Sequence, residues 1–235
     1  KSEYLLGTDQ QGRDILSTIM YGGRISLVVA MSAVAMSIVM GVGLGLIAGY
    51  VGGRVESLIM RIADIQLTFP AILVALLISG IGRQFVPKDM QDALAVYVII
   101  FSIGLTEWPK YARTVRGATL VEKSKEYVQA ARVIGVSSFK IMVSHVLPNV
   151  LGPVLVIATL NIANAIISEA TLSFLGVGMP PTQPSLGTLI SDGQNYLLAG
   201  QWWITLFPGI ALIVMVISVN LVGDWLRDAL NPKLR

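Results

Sequence analysis

From Ile25 to Tyr50 the chain carries no charged residue. As a helix that run measures roughly 39 Å, longer than the roughly 30 Å hydrocarbon core of a bilayer, so the pattern predicts a membrane span. Four further apolar runs follow, at about 64–81 with Pro70 inside, 93–108, 150–174 and 203–222. Within the connection 122–149 the pattern changes. The stretch YVQAARVIGVSSFKIMVSHVLPN, residues 127–149, reads like two short helices of a soluble protein set between spans. The expected fold is all-α, a polytopic helical membrane protein with five spans in this chain. Residues 1–24 read as an external N-terminal segment, 25–235 as the transmembrane domain, and about 176–202 as an external loop.

Composition agrees with that class. The chain is 54% hydrophobic and 13% charged, far from the mixture of a soluble domain, and its 23 glycines suit lipid-embedded helices. It has no cysteine, which excludes disulfides and thiolate metal sites. The net charge of +3 is not a nucleic-acid footprint, because the basic residues gather beside apolar runs, where they set topology.

Lys110–Asn149 holds seven basic residues, at 110, 113, 116, 123, 125, 132 and 140, against Glu122 and Glu126, whereas Gly176–Trp202 holds none. The positive-inside rule makes the first connection cytoplasmic and the second external. Counting spans from there puts the 82–92 loop outside, the 51–63 loop inside and the N-terminus outside. The tail with Arg227, Lys233 and Arg235 falls inside. Lys1 is not an initiator methionine and no signal peptide precedes it, so an external N-terminus leads us to expect an earlier span, six in all.

Two spans carry patterns beyond hydropathy. Ala33, Ser37, Gly41, Gly45, Gly49 and Gly53 recur every fourth residue, a stripe that lets another backbone approach closely. It serves either ordinary bundle packing or a seam that slides during transport. Asn161, Asn164, Ser168 and Thr171 fall on one face of the fourth run with Glu169 beside it. Polar groups are costly against lipid, so this face looks at protein or water, and Glu169 is either part of a translocation pathway or a buried carboxylate bonded to a neighbouring helix. Glu107 and Asp64 lie near span ends and read as interfacial. The Gly- and Pro-rich stretch after 176 is a docking surface or a connector, and Trp202 and Trp203 read as an interfacial anchor.

Enzyme chemistry is hard to find. His145 is the single histidine, read as a capping or surface group near Pro148. There is no GxSxG, HExxH or GxxxxGK[ST] motif, so any ATP used must be bound by another chain.

Glu126–Ile134 has helical propensity, Gly135 stands where a C′ glycine stops a helix, and Ser137 or Ser138 can cap a second helix that Pro148 ends. A helix, a tight turn and a second helix make a rigid element for a soluble partner to grip.

Gln129-Ala130-Ala131, three residues, Gly135, and then Leu147-Pro148 resemble the EAA loop of permease subunits of ABC importers, with Gln129 where Glu is usual and His145 where Ile is usual. LGTDQQGRD, WPKYARTVRG, LSFLGVGMPP and NLVGDWLRDALNP, the last with Asn231 for the usual Asp, are similar to the peptide/nickel branch, closest to its dipeptide C-type subunits. The resemblance covers nearly the whole chain. It implies a type I importer permease fold in a bacterial inner membrane, a heterodimer with a homologous permease, two cytoplasmic ATPase subunits and an external substrate-binding protein. No cofactor belongs to this chain, ATP and Mg²⁺ being bound by the ATPases. Glu126, Tyr127, Val128, Gln129, Ala130, Ala131, Arg132, Gly135, Leu147 and Pro148 are then the ATPase-coupling residues. Arg132 and Lys140 supply polar contacts, and Tyr127, Val128, Ala131, Val133 and Ile134 supply packing. Asn161, Asn164, Ser168 and Glu169 are pathway candidates, and Gly41, Gly45 and Gly49 pack helices. Import of di- or oligopeptides is the function implied; nickel import and an ion-coupled secondary transporter are the alternatives.

Overall fold

The computed structural model describes residues 4–85, 87 and 90–229; the expectations for Lys1 and the tail from Asn231 to Arg235 lie outside them. Helix α1 (Ile15–Val51) begins ten residues before the apolar run, because Asp14 caps it by accepting the amide N–H of Leu16 and Ser17 at 3.3 and 3.0 Å. Residues 15–24 therefore belong to the first helix rather than to a separate N-terminal segment.

Gly52 and Gly53, both at positive φ, turn the chain into α2 (Gly53–Thr68), which leads to α3 (Ala71–Phe85). These two replace the single span expected over 64–81 and the loop expected over 51–63. They meet at 97°. The break lies at Phe69, whose backbone is extended at φ −89°, ψ 141°, as steric conflict with the following Pro70 requires.

Helix α4 (Gln91–Glu122) runs well past Trp108. Its charged second half was read as connection, but α2 supplies the missing partners: Arg113 pairs with Asp64, and Arg116 with Glu56. Pro109 sits inside α4 and cannot donate to the carbonyl of Leu105. Gln66 of α2 takes over, its Nε2 donating to Leu105 O at 2.5 Å while its Oε1 accepts from Trp108 Nε1 at 3.0 Å.

The small-residue stripe is the α1–α4 seam. A Cβ on Gly45 would lie 2.5 Å from the Ala112 carbonyl oxygen, and one on Gly49 2.7 Å from Thr119 Cβ. On Gly41 it would meet Trp108 O at 2.6 Å, and Ser37 Oγ donates to Gly104 O at 2.9 Å. Gly53 is not part of this seam, since it opens α2 at φ +58°. Backbones this close gain dispersion contacts that a larger residue would forfeit.

Past the short helices described below, α7 (Leu147–Phe174) crosses the bundle, α8 (Leu186–Gln194) packs on its far end, and α9 (Trp203–Ala229) returns. The longest apolar helices are α1, α4, α9 and the continuous stretch Ser138–Phe174; α2 and α3 are together long and apolar enough for a fifth crossing but are bent at their junction. Contacts sort the ends. Trp203 Nε1 donates to Thr8 O, Thr182 to Asp92, and the Leu186 amide to Ser26, so the starts of α1, α4 and α9 share one end with α8. Lys123 Nζ on Gly49 O at 2.7 Å marks the opposite, basic end. Trp202 and Trp203 meet edge to face with centroids 6.0 Å apart, Trp202 half exposed and Trp203 turned to Gly7 and Thr8.

Candidate functional site

At the basic end, α5 (Glu126–Val133) and α6 (Ser138–Ile141) form the corner anticipated from sequence. Gly135 has φ +81°, where only glycine sits without steric cost. Its N–H donates to Arg132 O and the N–H of Val136 to Ala131 O, each at 3.0 Å, the pair of bonds that closes a Schellman cap. Ser137 occupies the N-cap of α6, although its side chain makes no capping bond.

Pro148 does not end the second helix. Residues Met142–Val146 form a π-helical turn in which the Leu147 N–H reaches back to Met142 O, and the chain passes from α6 into α7 with Pro148 in its first turn. Widening the turn accommodates a ring that would otherwise clash with the carbonyl four residues earlier. Leu147 is partly buried against the main core, and Pro148 is exposed.

The corner is bolted to the bundle on one side. Val128, Ile141 and Val146 are wholly buried and Ala131 is 5% exposed, all within the main core. Val128 and Ala131, expected to pack on a partner, pack on the protein itself. Tyr127 Oη donates to a Glu122 oxygen at 2.6 Å and accepts from Asn149 Nδ2 at 3.1 Å, and Asn149 also donates to His145 O at 2.7 Å. Burial, and then the hydrogen bond to the Glu122 carboxylate, push the Tyr127 phenol above its usual range, keeping it a donor. Lys125 pairs with Glu122 at 2.8 Å, and the Arg132 guanidinium lies over the Tyr50 ring at 5.2 Å. The ends of α1, α4, α5 and α7 are thereby joined.

Its other side is bare. Val133 is 86% exposed, Ile134 78% and Phe139 71%, clustered about Gly135 with Glu126, Gln129, Ala130, Arg132 and Lys140 exposed around them. Phe139 escaped the sequence reading because a lone aromatic in a four-residue helix has no periodicity to betray its face. Together they make an apolar tip rimmed with charge; burying three such side chains is worth roughly 1.5–3 kcal/mol each.

The polar residues of α7 share one side of the helix but not one environment. Asn164 is exposed and Ser168 half-buried, whereas Asn161 is 4% exposed beside Tyr111 of α4 and Glu169 is 0% exposed. Thr171 returns its hydroxyl to Ile167 O. Glu169 accepts Ser26 Oγ on one oxygen and Ser173 Oγ on the other, each at 2.7 Å. Glu169 and Asn161 thus face protein, Glu169 with a hydroxyl donor on each oxygen, and of the pathway candidates Asn164 and Ser168 alone reach the surface. Glu107 is likewise buried, and it pairs with Lys110 at 2.5 Å.

Comparison with known proteins gives concordant results. Residues 41–235 match the family described as binding-protein-dependent transport system inner membrane component. The dipeptide transport system permease protein DppC of Escherichia coli K12 is 45% identical over 232 residues, 99% of this chain and 74% of that protein. DppC of Haemophilus influenzae is 41% identical over 99% of this chain and 75% of its own length, and the di/tripeptide permease DppC of Pseudomonas aeruginosa 39% over 100% and 74%. Among solved structures, an inward-facing form of the MetNI methionine ABC transporter superposes with a TM-score of 0.68 at 18% identity, covering 92% of this chain and 98% of that one, and shares its fold.

Proposed function

The chain belongs to the family of binding-protein-dependent transport system inner membrane components, and from that premise we propose that its solute is a di- or oligopeptide, driven inward by ATPase subunits that grip the corner at Gly135. It is the membrane permease of an ABC importer of the bacterial inner membrane. The solute is argued from relatives named for di- and tripeptide transport at 38–45% identity over nearly the whole chain.

The observation that carries the coupling assignment is the bare tip of Val133, Ile134 and Phe139 on an otherwise bolted corner. In this reading the basic end is cytoplasmic and the tip fills a cleft of an ATPase subunit. ATP and Mg²⁺ belong to that subunit. When two ATPases close on ATP, the tip moves with them. A flexible loop would absorb the displacement; here α6 continues through the π-turn into α7, and Tyr127 ties α5 to α4 and α7, so the push reaches two spans as rigid rods. Their tilt, against a homologous permease across the pathway, exchanges inward- and outward-open states. Neutral Asn164 and Ser168 offer hydrogen bonds without fixed charge, leaving selection to an external binding protein that delivers the solute.

The test is reconstitution of the chain with its partner permease, its ATPases and its binding protein in liposomes, followed by uptake of dipeptide or Ni²⁺. ATP-dependent dipeptide accumulation supports the proposal. Accumulation of Ni²⁺ instead, or uptake without ATPase subunits, overturns it.

A further inference from the structure

Glu169 has no part in the coupling corner, yet it is a fully buried carboxyl group near the far end of α7. Its surroundings show what it does. Ser26 of α1 and Ser173 of α7 each donate a hydroxyl to one of its oxygens, both at 2.7 Å. Each serine in turn accepts a backbone N–H: Met179 donates to Ser173 Oγ at 3.0 Å, and Leu186 to Ser26 Oγ at 3.3 Å. Met179 and Leu186 bracket Pro180-Pro181-Thr182-Gln183-Pro184-Ser185, in which three residues have no N–H to donate. The two ends of a segment that cannot tie itself down with a regular backbone ladder therefore converge on one carboxylate.

Packing reinforces this. Gly187 lies so close to α7 that a Cβ there would come within 2.6 Å of Ala170 Cα, and a Cβ on Gly22 would meet the Ser185 carbonyl carbon at 3.2 Å. The segment is seated on the last turn of α7 and the first turns of α1. A buried carboxyl group bonded on each oxygen joins the two ends, and its removal leaves both serine hydroxyls without that partner.

We propose that Glu169 is a positioning residue: through Ser26 and Ser173 it locks the external segment 179–186 to α1 and α7, so that motion of α7 started at the corner arrives at the external surface as motion of that segment. This rests on the transport reading for the source of the motion, but not for the lock. A direct pathway role for Glu169 is thereby replaced by an indirect one.

The absence of cysteine allows the test. In the full complex in liposomes, Thr182→Cys, which gives up the bond to Asp92 in parent and variants alike, places a thiol in the exposed centre of the segment, and its maleimide labelling rate reads local opening. Adding Glu169→Ala is expected to raise that rate by about tenfold or more. It is also expected to abolish stimulation of ATP hydrolysis by the loaded binding protein while leaving basal hydrolysis as in the parent, a split that general destabilisation does not produce. Should the alanine variant not assemble, Ser26→Ala and Ser173→Ala each free one end and are expected to raise labelling by smaller factors; Glu169→Gln, which keeps the volume and one acceptor, is expected to restore part of the protection. Labelling unchanged from the parent in Glu169→Ala, or in both serine variants, overturns the lock. If the parent shows no ATP-dependent uptake, the transport reading fails and the labelling alone still decides the role of Glu169.

Discussion

Replacing Gly135 by valine is the sharpest perturbation of the coupling corner, because its cost can be separated from any clash. A Cβ at Gly135 would meet nothing within 4 Å, so the whole effect comes from the backbone at φ +81°. An L-residue held there costs about 1–2 kcal/mol, with a β-branched side chain at the upper end. If the chain escapes by leaving the left-handed region, it gives up the two capping bonds from Gly135 and Val136, at roughly 0.5–1.5 kcal/mol each. Either route weakens the corner by about 1–3 kcal/mol, a factor of roughly five to over a hundred in its intact population. Helices α5 and α6 then move independently, and the push on α7 is lost. The assay is the ratio of solute accumulated to ATP hydrolysed in proteoliposomes: Gly135→Val is expected to hydrolyse ATP with little uptake, Gly135→Ala to fall between, and Gly135→Asn, whose side chain tolerates this conformation, to stay near the parent. A parental ratio for the valine variant, or equal losses for valine and asparagine, refutes the reasoning.

Two further predictions concern the two ends of the bundle. Gln66→Ala strips Leu105 O and Trp108 Nε1 of their partner at the Pro109 break, and is expected to cost about 1–3 kcal/mol, seen as a lower unfolding temperature in detergent and a looser α2–α4 contact. At the opposite end, burial would push the pKa of Asp9 up, but the amide and guanidinium of Arg13 and the amide of Gln11 outweigh it and hold the carboxyl below its ordinary value of 3.8. Because the folded value is the lower one, Asp9 stabilises the Thr8–Asp14 turn fully above 3.8, and that contribution is lost as the pH falls through the folded value. Hydrogen exchange at the Gln11 and Arg13 amides, corrected for intrinsic rate, is expected to accelerate only at that acid extreme.

The spans were legible because hydropathy is a local property and lipid enforces it: α1, α7 and α9 lie close to where the apolar runs placed them. The corner was legible because a C′ glycine after Ala130-Ala131 is a short-range signal. What escaped depends on partners distant in sequence. Charged Arg113 and Arg116 seemed to end a span until Asp64 and Glu56, about 50 to 60 residues earlier, met them across the α2–α4 groove. Pro70, inside an expected single run, marks a near right-angled break, whereas Pro148, expected to end a helix, is absorbed by a π-turn. The resemblance implies the same packing role for Val128 and Val133, and only the fold sends one into the core and the other to the surface. Glu169 was left open between two readings, since its partner Ser26 lies 143 residues away.

The central claim is that the bare tip is where a separate ATPase takes hold. Phe139→Cys puts a single thiol at that tip in a chain without cysteine. With a short bifunctional reagent in the assembled complex, that thiol is expected to crosslink to an ATPase subunit, and maleimide labelling to be suppressed when the ATPases are present. Labelling at the same rate with and without the ATPases, and no crosslink to them, would contradict the account.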